Sequence, residues 1–165
     1  MKLIVAFCKN NGIGFNNKMP WYLKSDLKRF KKLTIGSGNN AVVMGRNTWV
    51  SLKGLSLPKR SNIILTSNMD YFQAKNQLFM QSFDDVAVVS QSQLYDDIWL
   101  IGGEQIYRES LKKNLVDEIY ATVIDNDFAC DTFFPEIPKE FKLIEEGALQ
   151  SENNIKFNYV HYKKI

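Results

Sequence analysis

The sequence predicts a single α/β domain built on a mainly parallel sheet, and three features point to it. Four short, nearly continuous apolar runs, 3–7, 41–44, 62–65 and 98–101, have the composition of strands covered on both faces. Two of these runs pass directly into glycine and then a helical segment, at Gly45 and at Gly102-Gly103. Two later runs, 119–124 and 156–162, are longer and alternate more, as strands at an antiparallel edge do. A chain of 165 residues is long enough to bury about 70% of its unfolded surface in one core.

After the strand at 3–7 comes a turn-rich segment, 10–21, with Gly12, Gly14 and a Met19-Pro20-Trp21 cluster. Surface loops seldom expose Met and Trp together unless these pack over something, so the segment is read either as a lid that keeps water from a site or as ordinary core anchors at a helix start. The helix follows over 23–34. Leu23, Leu27, Phe30, Leu33 and Thr34 share one face, while Lys24, Lys28, Arg29, Lys31 and Lys32 take the other. Asp26, the one acidic residue in positions 1–69, falls on the apolar face. It either opposes the helix dipole in the first turn, with Ser25 and Asp26 bonding free backbone N–H groups, or is a carboxylate kept for chemistry.

The strand at 41–44 ends at Gly45-Arg46-Asn47-Thr48, and that at 98–101 ends at Gly102-Gly103-Glu104-Gln105. Glycine allows close backbone approach and helix starts offer free N–H groups to phosphate oxygens, so the two junctions suit the two phosphates of a dinucleotide. No G-x-G-x-x-G follows the first strand, and no acidic residue stands ready for a ribose hydroxyl. Arg46 and the Thr66-Ser67 pair instead offer a cation and two hydroxyls to an extra phosphate, which favours NADP over NAD, the alternative being that Arg46 caps or covers the sheet. Segments 126–135 and 151–154 read as loops.

Composition narrows the chemistry. Cys8 and Cys130 read as isolated thiols and His161 is the lone histidine, which leaves no material for a zinc site or a Ser-His-Asp triad. Positions 1–69 carry 12 Lys/Arg against Asp26 alone, and positions 70–165 carry 9 against 17 acids. An anionic partner is therefore expected at the N-terminal half, although a solvated basic face gives the same count. Without an aromatic-basic motif, a zinc finger or a basic tail, a small polyanion fits at least as well as nucleic acid. No apolar run approaches membrane-spanning length and the first residues are too short for a secretory signal. A cytoplasmic monomer with no membrane or nucleic-acid partner is the expectation.

Placed in order, these pieces resemble the dihydrofolate reductase family over nearly the whole chain. The resemblance is carried by Ile13-Gly14 with Met19-Pro20-Trp21; by Leu23, Asp26-Leu27 and Phe30; by Val43-Met44-Gly45-Arg46-Asn47-Thr48-Trp49; by Leu57-Pro58-Lys59-Arg60; by Asn62 to Ser67; by Ile101-Gly102-Gly103 through Ile106-Tyr107; and by Asp131 to Pro135. It implies an eight-stranded, mostly parallel sheet with about four flanking helices and an antiparallel C-terminal edge. It also implies hydride transfer from NADPH to pterin C6 of dihydrofolate, with a proton gained at N5.

Residue roles follow from the same resemblance. Asp26, with Trp21 and Thr122, would form the catalytic set: Asp26 would hold the pterin, Thr122 would support it, and Trp21 would hold an ordered water. Substrate would meet Ile4, Val5, Ala6, Leu27, Phe30, Leu52, Leu57, Ile101 and Tyr107, and Arg60 would take the glutamate carboxylate in a bidentate pair. Cofactor would meet Ala6, Ile13, Gly14, Asn17, Lys18 and Met19; Gly45, Arg46, Asn47 and Thr48; Leu65, Thr66 and Ser67; and Ile101, Gly102, Gly103, Glu104, Gln105, Ile106 and Tyr107. Gly102-Gly103 would be a cis peptide.

Lys24 stands where proline is common, Asn47 and Gln105 where cations are frequent, and Glu104 adds negative charge beside the expected pyrophosphate unless it points to solvent. The competing expectations are a reductase of the same fold acting on another heterocycle and an inactive nucleotide-binding module.

Overall fold

Alternation along the first strand sets the layers. In β1 (Lys2–Phe7), Leu3, Val5 and Phe7 belong to one apolar cluster and Ile4 to another, so the sheet carries a core on each face. The structure, a computed structural model, describes residues 1–68, 70 and 76–165. Within them follow β2 (Gly12–Gly14), α1 (Lys24–Ile35), β3 (Ala41–Gly45), α2 (Arg46–Ser51), β4 (Ser61–Leu65), β5 (Gln77–Met80), α3 (Phe83–Gln91) and β6 (Ile98–Leu100). The chain continues through α4 (Glu104–Lys112), β7 (Glu118–Ile124), β8 (Thr132–Phe133), β9 (Phe141–Glu146), β10 (Gln150–Glu152) and β11 (Ile155–Lys164). Helices α3 and α4 cover one face through Phe83, Val86, Ile106 and Tyr107, and α1 covers the other through Phe30 and Leu33.

The strand order is β10-β11-β7-β1-β6-β3-β4-β5, with β9 also on β11. β1, β3, β4, β5, β6 and β7 run parallel to their neighbours in this set, while β11 is antiparallel to β7, β9 and β10. β10 pairs with the start of β11 and β9 with its end, so nine strands fill eight positions across the sheet. The α/β class, the mostly parallel sheet, the antiparallel C-terminal edge and four helices among the described residues match the sequence expectation. The carboxyl ends of β1, β3, β4 and β6 lie together, the usual place for a ligand in such a sheet.

Several expectations need correction. β7 is not at an edge: it pairs with β1 over six positions, with Thr122 opposite Ala6, and with β11 on its other side. Its alternation reflects different covering on its two faces, since Tyr120 and Thr122 are directed to the α1 side and Ile119 and Ala121 to the opposite core. Residues 151–154 are not simply loop, because Ser151 and Glu152 belong to β10 and only Asn153 and Asn154, both at positive φ, make the hairpin turn. Segment 126–135 likewise contains β8, which pairs with β2. The two cysteines are neighbours, with Sγ atoms 4.0 Å apart. The β2–β8 pairing brings them there from opposite parts of the chain.

Candidate active site

The sequence starts α1 without a side-chain cap of its own, because Leu23 occupies the N-cap position. Two of the orphan amides are met from another part of the chain: Lys24 N–H and Ser25 N–H donate to the Glu152 carboxylate at 2.7 and 3.1 Å. Asp26 therefore does not cap the helix. Its Oδ1 accepts a 2.5 Å hydrogen bond from Thr122 Oγ1, across from α1 to β7. Asp26 does lie in the first turn of α1, where its charge opposes the helix dipole, but its described hydrogen bond goes to Thr122 and not to a free amide of the helix start.

Burial pushes the Asp26 carboxyl above its usual range, the Thr122 bond and the Arg29 charge hold it down, and Glu152 pushes it up again. Arg29 is a correction to the amphipathic reading. Rather than joining the lysines on the solvent face, its guanidinium lies 4.2 Å from the Tyr159 ring centre and is half-buried, because the apolar stem and planar head pack on β11. Burial lowers its own pKa.

Asp26 opens into a cavity of about 1500 Å³ that runs along the carboxyl ends of the parallel strands. Of the residues expected at the substrate and cofactor, all but Arg60 line it. Ile4, Val5 and Ala6 contribute from β1; Leu27 and Phe30 from α1; Leu52, Leu57 and Ile101 from the connections beyond. Arg60 is buried off the cavity wall, its Nε donating to the Pro58 carbonyl (2.9 Å) and its Nη1 to Thr34 Oγ1 (2.8 Å). These two bonds draw the guanidinium in beside α1, and burial pushes its pKa down.

Segment 10–21 lies along the same cavity and is fastened at several points. Asn16 N–H donates to Asp131 Oδ2, Asp131 N–H to the Gly14 carbonyl, and Asn17 Nδ2 to the Asn47 carbonyl. A Cβ on Gly12 would stand 2.3 Å from Cys130 Sγ and one on Gly14 2.8 Å from Thr132 Oγ1, so the close β2–β8 approach requires both glycines. Within this segment Trp21 is buried against Phe128, and among the described residues its Nε1 has no partner. A polar group in the cavity is what would satisfy it. Met19 is half-exposed at the cavity rim, so Met19 and Trp21 combine the lid and anchor roles.

The other end of the cavity is built from Gly45-Arg46-Asn47-Thr48, Leu65-Thr66-Ser67 and Gly102 to Tyr107. The Gly102-Gly103 peptide is cis, as the resemblance implies, and the Gly102 carbonyl accepts from Gly45 N–H at 2.8 Å, tying the two strand-helix junctions together. Gly45 and Gly103 occupy the N-cap positions of α2 and α4 and supply no capping side chain, so the first-turn N–H groups face a cavity that can receive acceptors. Glu104 is held away from a phosphate role: Oε1 accepts from Arg108 Nη2 at 2.8 Å and Oε2 from Phe133 N–H at 3.0 Å. Tyr107 is buried, donates to the Ile4 carbonyl at 2.9 Å, and has its hydroxyl pKa pushed up by burial.

Sequence reasoning missed Gln81, Ser82 and Phe83 on the cavity wall because they follow β5, a strand it did not recognise. It also missed Glu152, Arg108, Tyr22 and Ser51; only Arg108 carried a local signal, an i,i+4 pairing with Glu104. The Thr122 bond gives a direct test. Thr122→Val removes the donor, moves the Asp26 carboxyl further up and lowers kcat/KM for substrate by about fivefold at neutral pH. A pH profile whose midpoint does not move would contradict the assigned role.

Comparison with known sequences agrees with this geometry. The pattern of the family described as dihydrofolate reductase matches residues 1–164. A dihydrofolate reductase from Heliothis virescens is 36% identical over all of this chain and 97% of its own length. One from Staphylococcus aureus (strain Mu50) is 36% identical over 98% of this chain and 96% of its own. Another, from Buchnera aphidicola, is 41% identical over 82% and 79% of the two chains.

Proposed function

The chain belongs to the dihydrofolate reductase family, and from that premise we propose that it converts 7,8-dihydrofolate to 5,6,7,8-tetrahydrofolate with NADPH, as a cytoplasmic monomer serving one-carbon metabolism and thymidylate synthesis. The observation that carries the reading is the half-buried Asp26 carboxylate, bonded to Thr122 and facing a cavity whose other end has two glycine-led helix starts. No helix among the described residues is long and apolar enough to cross a membrane.

When bound, NADPH would supply a hydride to pterin C6, with a proton gained at N5. The chain's residues bind, orient and exclude water. Asp26 accepts from the pterin amino group and N3, and its charge in a desolvated surround favours the protonated substrate. Trp21 Nε1 holds a water beside it. Leu27, Phe30, Leu52, Leu57 and Ile101 grip the rings, and the backbone of Ile4 to Ala6 edges the pterin. For Arg60 to take the tail carboxylate, the N–H groups that Pro58 and Thr34 leave free have to reach the cavity from the buried place the guanidinium holds off its wall.

At the cofactor end, Arg46, Thr66 and Ser67 receive the extra phosphate, while the lid residues Ile13, Gly14, Asn17, Lys18 and Met19 close over the nicotinamide half. Arg46→Ala is expected to weaken NADPH binding by roughly tenfold, as loss of a charge-assisted hydrogen bond would, and to leave NADH binding nearly unchanged. Titration of both nucleotides by quenching of tryptophan fluorescence checks this. Equal weakening of the two would remove Arg46 from the phosphate.

The proposal as a whole is tested by the loss of reduced-nicotinamide absorbance on adding dihydrofolate. Turnover that depends on dihydrofolate supports it. NADPH binding without such turnover would shift the assignment to another heterocycle or to binding alone.

A further inference from the structure

The hairpin of β10 and β11 does more than close the sheet edge. Its turn, Asn153-Asn154, directs Asn153 Nδ2 to the Tyr22 carbonyl (3.1 Å), and Glu152 just before the turn reaches the start of α1. There the Glu152 carboxylate accepts from Lys24 N–H, Ser25 N–H and Ser25 Oγ, the last through a very short bond. These bonds span more than 120 residues of sequence and end one residue before Asp26. Leu23 at the N-cap and Lys24 in place of a proline leave the helix start with no local means of fixing its first turn.

We propose that Glu152 is a positioning residue for Asp26, clamping the first turn of α1 from the far end of the chain and keeping a second negative charge beside the pocket acid. Ser25 and Asp26 are consecutive, so a first turn that frays would displace the carboxylate relative to Thr122. The charge acts as well. The groups that face Asp26 are Arg29 on α1, Thr122 on β7, Glu152 on β10 and Tyr159 on β11. Of these, Glu152 is the anion at neutral pH, and it opposes ionisation of Asp26 while Arg29 and Thr122 favour it. The sheet edge is thereby coupled to the protonation of the pocket.

The proposal rests on Asp26 being the pocket acid, as read above, so the experiment needs one readout that does not depend on turnover. The carboxyl carbon of Asp26 is titrated by NMR in the free protein, assigned by its loss in Asp26→Asn, for wild type, Glu152→Gln and Glu152→Ala. kcat/KM for dihydrofolate is measured across pH on the same proteins. Glu152→Gln removes the charge and leaves one acceptor oxygen where Lys24 N–H and Ser25 now meet two, so the Asp26 midpoint should fall by roughly 0.3 pH unit, with the alkaline limb of kcat/KM moving down alongside it. Glu152→Ala should show the same fall together with a loss of about three- to fivefold in kcat/KM, of which the Gln variant, with one acceptor oxygen left, restores a part.

An unmoved midpoint in both variants overturns the charge coupling, and wild-type kcat/KM in Glu152→Ala overturns the clamp. If the chain proves not to reduce dihydrofolate, the midpoint shift still decides whether Glu152 acts on Asp26, so the two failures are distinguishable.

Discussion

Asp26→Asn lowers turnover of dihydrofolate by about 100-fold at neutral pH, the size expected when a positioned acid-base group is lost from a desolvated site. The amide is nearly isosteric and can still accept from Thr122, so the loss reports charge and proton supply rather than a collapsed pocket. Activity should recover towards wild type as pH falls, because solvent then protonates the substrate without help. A deficit that stays constant across pH would mean that Asp26 only binds.

The same substitution raises stability, with a sign that can be worked out. Burial lifts the folded-state pKa of Asp26 above its unfolded value of 3.8, so the folded protein holds the proton more tightly. Stability contributed by this group is full below the unfolded pKa and is lost as pH rises through the folded one. Asn carries no such penalty. The variant should therefore melt a few degrees higher than wild type at neutral pH, the advantage disappearing in acid. Activity and stability would then move in opposite directions, as expected when a carboxylate is held charged in an unfavourable place for the sake of chemistry.

Gly102→Ala is expected to be the most damaging small change near the cofactor. Gly102 has φ of +116°, where L side chains are strained, and an added Cβ would stand 3.1 Å from the Tyr107 hydroxyl and 3.3 Å from Cζ. Tyr107 cannot easily give way, because it is buried and bonded to the Ile4 carbonyl. Backbone strain and overpacking together should cost about 2–4 kcal/mol, lowering the melting temperature by roughly 5–12 °C and weakening binding of the nicotinamide nucleotide. Gly38→Ala separates the two causes, since Gly38 has φ of +99° but nothing within 4 Å of the added Cβ. It should show the backbone cost alone, about 1 kcal/mol. Equal losses at the two positions would show that the Tyr107 contact contributes nothing.

Parts of the fold were legible for a local reason. β1, β3, β4 and β6 are buried on both faces, and a short continuous apolar run is the direct record of that environment. β5 and α3 were not legible. In α3 the run Val86-Ala87-Val88-Val89 has a strand-like composition, yet a capping box between Ser82 and Asp85 starts a helix whose Phe83 and Val86 are buried against the sheet. Tertiary burial overrides the weak intrinsic preference of β-branched residues. Arg29 was misplaced because helical periodicity predicts which face a residue occupies but not that Tyr159 of β11 will reach that face.

For the site the division is similar. Three parts of the site are readable from the residues alone, because each depends on neighbours in the chain: one acid in an apolar helical stripe, two glycine-led junctions after buried strands, and the family that the ordered motifs resemble. What Asp26 meets depends on contacts between distant segments. Thr122 is 96 residues away and reaches it because β7 lies beside β1 in a register that places Thr122 opposite Ala6, on the α1 side of the sheet. Glu152 is 127 residues from Ser25 and reaches it because the β10–β11 hairpin turns at Asn153-Asn154 over the start of α1. Strand order and register fix such pairings, and a shift of one residue would turn Thr122 to the opposite face.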